Sequence, residues 1–177
     1  FKSGTVTKLL VFGSQRKSQA SSTCDDYAAT PNLRLISETG TVESATYGSV
    51  LLTYLNPTSN KRALFTAAAQ DSTGVVFLAG LISDVLQTDN VSGFSCSYPN
   101  PSYFLARINP DGSVYRFGSD ITKTLNYGDI TSILPMENGK LVLTTLESTG
   151  PDVIFLDATS GELETSLGES GTVDLVD

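Results

Sequence analysis

A chain of 177 residues has room for one domain with a substantial core, and 40% hydrophobic against 17% charged residues is the balance of a folded globular protein. The net charge of −8 speaks against a general nucleic-acid binder, since phosphate contacts need a basic surface, and no run approaches the roughly 20 apolar residues of a membrane-spanning helix. The absence of histidine removes the commonest general base and zinc ligand, and with it Ser-His-Asp and Cys-His catalysis within this chain; two cysteines alone do not hold zinc.

The chain opens on Phe1-Lys2-Ser3, with neither signal-peptide features nor an initiator Met, so a processed or excised piece is expected. Residues 4–13, GTVTKLLVFG, supply a turn and an apolar strand. A polar stretch follows, with Arg16-Lys17 as a small basic patch, Asp25-Asp26, and Cys24 near Tyr27 and Pro31. Residues 32–48, NLRLISETGTVESATYG, predict a hairpin turning at Glu38-Thr39-Gly40. LLTYLNPT after it has the length of a helical turn, but its β-branched and aromatic neighbours favour strand.

Residues 63–83, ALFTAAAQDSTGVVFLAGLIS, predict strand, turn at Asp71 to Gly74, and strand. The run VVFLAGLI is apolar without alternation, as in a strand buried on both faces. A long loop, 84–101, holds the glycosylation sequon Asn90-Val91-Ser92 and places Cys96 beside Phe94, Tyr98 and Pro101. Residues 102–118, SYFLARINPDGSVYRFG, form the clearest hairpin signal, because Asp111-Gly112 supplies the positive φ that a tight turn needs. ITSILPMENGKLVLTT (130–145) repeats the earlier hairpin with its turn at Gly139, and DVIFLDATSGELETSLG (152–168) repeats the later one with its turn at Gly161. The last segment, GTVDLVD, reads as one more strand.

Two kinds of hairpin thus alternate, giving three units of four strands at about 1–60, 61–119 and 120–170 within one all-β domain, the first unit lacking its first strand. Residues 171–177 are left as an exchanged or closing strand. Tandem four-stranded units of this length are the mark of β-propeller blades. YFLARINPDGSVYRFG, and DITSILPMENGKLVLTT followed by DVIFLDATSGEL, resemble the blade repeats of secreted and surface propeller proteins such as the delta-60 repeat group. The resemblance covers most of residues 61–168 and, more loosely, 5–48. It implies antiparallel blades and an extracellular or cell-surface setting, but no single activity. Three blades are fewer than the four to eight of closed propellers. A piece of a longer propeller, copies that complete one another by strand exchange, and a β-sandwich or donor-strand fibre subunit all remain open.

Cys24 and Cys96 occupy corresponding loops, and a disulfide between them is expected from their even number, the lack of CxxC and the extracellular character of the chain. The turn glycines Gly40, Gly74, Gly112, Gly139 and Gly161 are the other singled-out positions. No metal site is assigned. The acidic residues Asp25, Asp26, Asp71, Asp84, Asp89, Asp111 and Asp157 would suit calcium chemically, yet no calcium-loop motif is present and turn roles account for them. Phe94, Tyr98, Tyr103 and Tyr115 would edge a sugar-binding face, although the last two fall in strands. Glu162 and Glu164, two apart, resemble a glycosidase pair if they lie on a strand.

The expectation is therefore an extracellular binding or structural module, not an enzyme, meeting a protein or glycan partner through the loops 16–31 and 84–101. A self-assembling fibre or complex subunit is the first alternative, and a carbohydrate-active enzyme working with carboxylates alone is the second. Residues 1–62 carry seven Lys/Arg and four Asp/Glu, while 63–177 carry four and fifteen, a polarity that suits head-to-tail association.

Overall fold

The computed structural model describes residues 2–3, 6–16, 29–37, 39–44, 46–55, 61–84, 86–90, 93–97, 101–117, 120, 122–125, 128–146 and 151–175. The protein is all-β, and among the described residues there is one short helix and every strand pairing is antiparallel.

Sheet 1 runs in chain order through β1 (Lys2–Ser3), β2 (Val6–Arg16), β3 (Ala29–Ser37) and β4 (Val42–Ser44). The first unit therefore has its first strand after all, two residues long, where the sequence pattern shows none. Sheet 2 contains β5 (Lys61–Gln70), β6 (Val76–Asp84), β9 (Ser102–Ile108) and a fourth strand in two pieces, β10 (Val114–Tyr115) and β11 (Thr122–Leu125), both on β9. Between β6 and β9 the chain makes a separate hairpin of β7 (Leu86–Asn90) and β8 (Gly93–Ser97). Sheet 3 consists of β12 (Asp129–Pro135), β13 (Lys140–Leu146), β14 (Pro151–Asp157) and β15 (Thr172–Asp174).

Two sequence expectations are corrected. The first five residues of LLTYLNPT are not a strand: Ser49–Leu55 form helix α1, which buries Leu51 and Leu55, one turn apart, against sheets 1 and 2. A seven-residue helix is not stable alone, so packing rather than propensity decides here. Nor do the described residues of the segment 171–177 form a free strand. Its residues Thr172 to Asp174 pair with Ile154 to Asp152 as the outer strand of their own sheet. The stretch expected to form that strand, 162–168, is instead mostly turn, and Gly168, Ser170 and Gly171 at positive φ redirect the chain into β15.

The sheets pack face to face with sheet 2 in the middle. Leu33 and Leu35 of β3, with α1, meet Phe65, Val76, Leu78, Phe104, Ala106 and Ile108. On the opposite side Ala67, Phe77, Ala79 and Leu105 meet Ile130, Ile133, Leu141, Leu143, Ile154 and Leu156. Strand β6 thus serves two cores, Val76 and Leu78 on one side and Phe77 and Ala79 on the other, which is why its sequence is uninterruptedly apolar.

Sheets 2 and 3 share one register. The pairs Phe65↔Gly80, Ala67↔Ala79 and Gln70↔Val76 recur as Ile130↔Thr145, Ser132↔Thr144 and Pro135↔Leu141, each partner 65 residues on. Even the irregularity is repeated: one extra residue, Thr66 or Thr131, bulges between the same two pairs. In the third strands Val76↔Ile108 and Phe77↔Arg107 recur as Leu141↔Leu156 and Val142↔Phe155.

Candidate functional site

Consecutive antiparallel strands put all first and third connections at one end of each sheet and the second connections at the other. The five singled-out glycines occupy the first end. Gly40, Gly74, Gly112 and Gly139 have φ between 76° and 91° and close the same loop. In each, the glycine N–H donates to the carbonyl three residues back, and that residue's N–H donates to the carbonyl just after the glycine. This is a type I turn followed by a left-handed bulge residue. Gly161 (φ 69°) closes a version one residue longer, in which its N–H donates to the Asp157 carbonyl.

The acidic turn residues face their own turns. Asp71 Oδ1 accepts from the Thr73 and Val75 N–H groups at 2.9 and 3.0 Å and from the Thr73 hydroxyl at 2.7 Å. Asp111 Oδ1 accepts from Ser113, whose hydroxyl and then N–H hold the carboxyl below the usual range. Asp157 is lowered chiefly by the Ser160 N–H at 2.8 Å, with desolvation opposing and Thr159, the Ser160 hydroxyl and Lys140 assisting. A carboxylate whose folded pKa lies below its ordinary 3.8 adds stability above that value and loses it as pH falls through the folded pKa. Asp157→Asn should therefore flatten the loss of stability below about pH 4, while changing neutral stability by less than about 1 kcal/mol for so exposed a group. Urea midpoints at pH 7, 4 and 2.5 test this, and an unchanged acid slope would contradict it.

The turn at Gly112 is covered. Gly48 N–H donates to the Gly112 carbonyl at 3.2 Å, and a Cβ on Gly112 would stand 2.8 Å from the Tyr47 ring. Burial, and then the Asp111 charge, keep the Tyr47 phenol protonated far above its ordinary range. The segment leading into α1 is thereby pinned to the hairpin of the next sheet, a contact with no local sequence signal.

A cleft of about 320 Å³ opens between the outer strand of sheet 2 and the 156–163 turn of sheet 3. Leu125, Leu156 and Leu163 form its apolar floor, and Lys123 and Glu162 are paired across it. The volume is at the lower end of small-molecule sites. Glu162 and Glu164, read above as a pair on one strand face, lie off the strands and diverge: Glu162 binds Lys123, and Glu164 binds Lys140, which also approaches Asp157 at 3.9 Å. Among the described residues no cluster of three metal-ligating side chains occurs.

Beside the cleft, Arg107 is 8% exposed. Its guanidinium lies 3.7 Å from the Tyr115 ring centroid and 5.4 Å from that of Phe77, and Nη1 donates to the Thr159 carbonyl at 3.4 Å. Nε is buried without a hydrogen-bond partner. Counted back from the third-strand turns, the equivalent positions hold Leu35 and Phe155. Arg107→Leu should therefore stay within about 1 kcal/mol of the parent or exceed it, since replacing a buried charge by a packed apolar group is often neutral or better. Arg107→Ala should lose about 2 kcal/mol through the emptied space. A larger loss in the leucine variant than in the alanine variant, by urea unfolding, would reverse this ranking.

The other positions singled out in the sequence are scattered. Tyr103 packs half-buried against the core shared by sheets 2 and 3, and Tyr115 lies under Arg107. Phe94 and Cys96 are on β8, paired in register with Asp89 and Gln87, Asn90 ends β7, and Asp84 ends β6. Arg16 ends β2. Lys17, Cys24, Asp25, Asp26, Tyr98, Val91 and Ser92 lie outside the described residues, and so does the expected Cys24–Cys96 bridge. No protein-family model matches the chain, and neither does any curated protein or solved structure.

Proposed function

We propose that the chain is a run of three β-propeller blades acting as a binding and structural module, not an enzyme, outside the cell or at its surface. The observation that carries this reading is the repeated register: meander sheets stacked face to face, with the bulge at Thr66 recurring at Thr131. Regular stacking of four-stranded meanders is what builds propellers, and the resemblance to delta-60-type repeats points the same way. The partner, a protein or a glycan, would meet the end of the sheets opposite the glycine turns. There β6 gives way to the β7–β8 hairpin, and β2 ends with Arg16 opposite Ala29. Loops on a rigid scaffold are where such folds place recognition.

The test replaces residues 85–101 by a short Gly-Ser linker and compares both proteins on glycan and extracellular-protein arrays. An unchanged unfolding midpoint with loss of array binding is expected. Collapse of the fold, or binding indifferent to the deletion, contradicts the proposal. The bridge between Cys24 and Cys96 belongs to the same reading, since it would tie two corresponding connections together. Intact mass should not change with a thiol reagent until a reductant is added, and labelling of both thiols without reductant ends the idea.

A further inference from the structure

We infer that the uncovered face of sheet 3 is a docking surface for sheet 1 of a second copy of this chain, two copies closing head to tail into one six-sheet assembly. The inference rests on the blade reading proposed above.

Sheets 1 and 2 each have one face turned toward the sheet after it. In sheet 1 that face presents Leu33 and Leu35, and sheet 2 covers it. In sheet 2 it presents Ala67, Ala69, Phe77, Leu105 and Arg107, and sheet 3 covers it. The shared register transfers these last positions to Ser132, Leu134, Val142, Val153 and Phe155 in sheet 3. Here no described residue of another sheet covers them. Leu134, Val142 and Phe155 stand side by side across three strands, and Val153 is paired with Val173 beside them. Leu134 is 60% exposed and Val173 37%, while Val142, Val153 and Phe155 are half-buried. A contiguous apolar row at positions that are interface in both other sheets continues an interface already built twice in the molecule.

The complementary surface is the other face of sheet 1. Ile36 and Arg34 occupy it, as Ile108 and Ala106 do in sheet 2, where they pack against the preceding sheet; Leu9 and Val11 are their register partners. Ile36 is half-buried and Arg34 exposed. Charge selects this occupant over a second sheet 3. Residues 1–62 are net +3 and residues 63–177 net −11, so like-to-like docking sets acidic ends together while head-to-tail docking joins opposite signs. Two copies bring six sheets, within the four to eight that close a ring, and a twofold axis makes both seams identical.

Sedimentation and light scattering of the 177-residue chain test it. The expected species is a discrete dimer, twice the 18.7 kDa chain mass, that weakens as salt rises. Leu134→Glu and Arg34→Glu should each weaken the dimer by about tenfold or more, because a charge placed in, or reversed at, a desolvated seam is costly. A monomer at all concentrations overturns the inference, as does a dimer that neither variant disturbs, and open-ended polymers overturn the closure. Leu143→Ala, inside the core of sheets 2 and 3, separates this failure from failure of the blade reading. A monomer whose unfolding midpoint falls with that variant keeps the stacked sheets and loses only the docking; a monomer indifferent to it loses both.

Discussion

Gly80→Ala is expected to destabilise the protein by about 3 kcal/mol or more, beyond the usual 1–3 kcal/mol of adding a methyl to a packed core. A Cβ built there would stand 2.0 Å from the Leu64 carbonyl oxygen and 2.8 Å from Phe104 Cζ. The first is backbone of the neighbouring strand and has no rotamer to escape into. Gly80 pairs with Phe65 at the Thr66 bulge of β5. Relief requires parting the ladder, or moving Phe104 out of its edge contact with Phe65, whose ring centroid lies 6.1 Å away. The equivalent residue of sheet 3 makes the internal control. Thr145 carries a Cβ at that register position, buried, with a hydroxyl that has no partner. Thr145→Val should therefore be neutral or stabilising by about 1 kcal/mol, since it removes an unsatisfied polar atom at nearly constant shape. Equilibrium urea unfolding of both variants decides the matter, and a neutral Gly80→Ala would mean that the bulge is not this tight in solution.

Phe77→Ala should cost about 3–5 kcal/mol, a large fraction of the 5–15 kcal/mol that holds a typical domain together. Phe77 is 1% exposed, fills the space between sheets 2 and 3, and forms one wall of the Arg107 site. Removing it opens a cavity lined by two sheets whose backbones are fixed by their ladders, so little collapse can offset the loss. A midpoint shift worth less than about 1 kcal/mol in urea unfolding would show that the two sheets do not pack there.

The hairpins were legible because their signals are local. Asp71, Asn109 and Asp111 satisfy their own turns through side chains two to four residues away, and glycine is the residue that tolerates the φ these turns need. The double burial of Val76 to Ala79 was equally plain, since no polar residue interrupts the run. What failed was decided at a distance. Helix α1 is shaped by the two sheets receiving Leu51 and Leu55, against the β-branched Val50 and Thr53 in its own sequence. ELETSL alternates like a strand, but Glu162 and Glu164 are drawn off by Lys123 and Lys140, 39 and 24 residues away. The Arg107 site leaves no trace in the sequence, because an arginine before a turn gives no hint that two rings and a distant carbonyl will enclose it.

The recurrence of Thr66 as Thr131 bears on the curvature of the sheets. A bulge bends its strand and sharpens the local twist, and its place is not dictated by hydrophobic alternation, so its return at one register position gives two sheets the same local curvature. Sheet 2 offers one face to sheet 1 and the other to sheet 3. Matched curvature lets one backbone course be repeated while the side chains between the sheets differ, and the hairpin of the β6-to-β9 connection stands outside that repeated course.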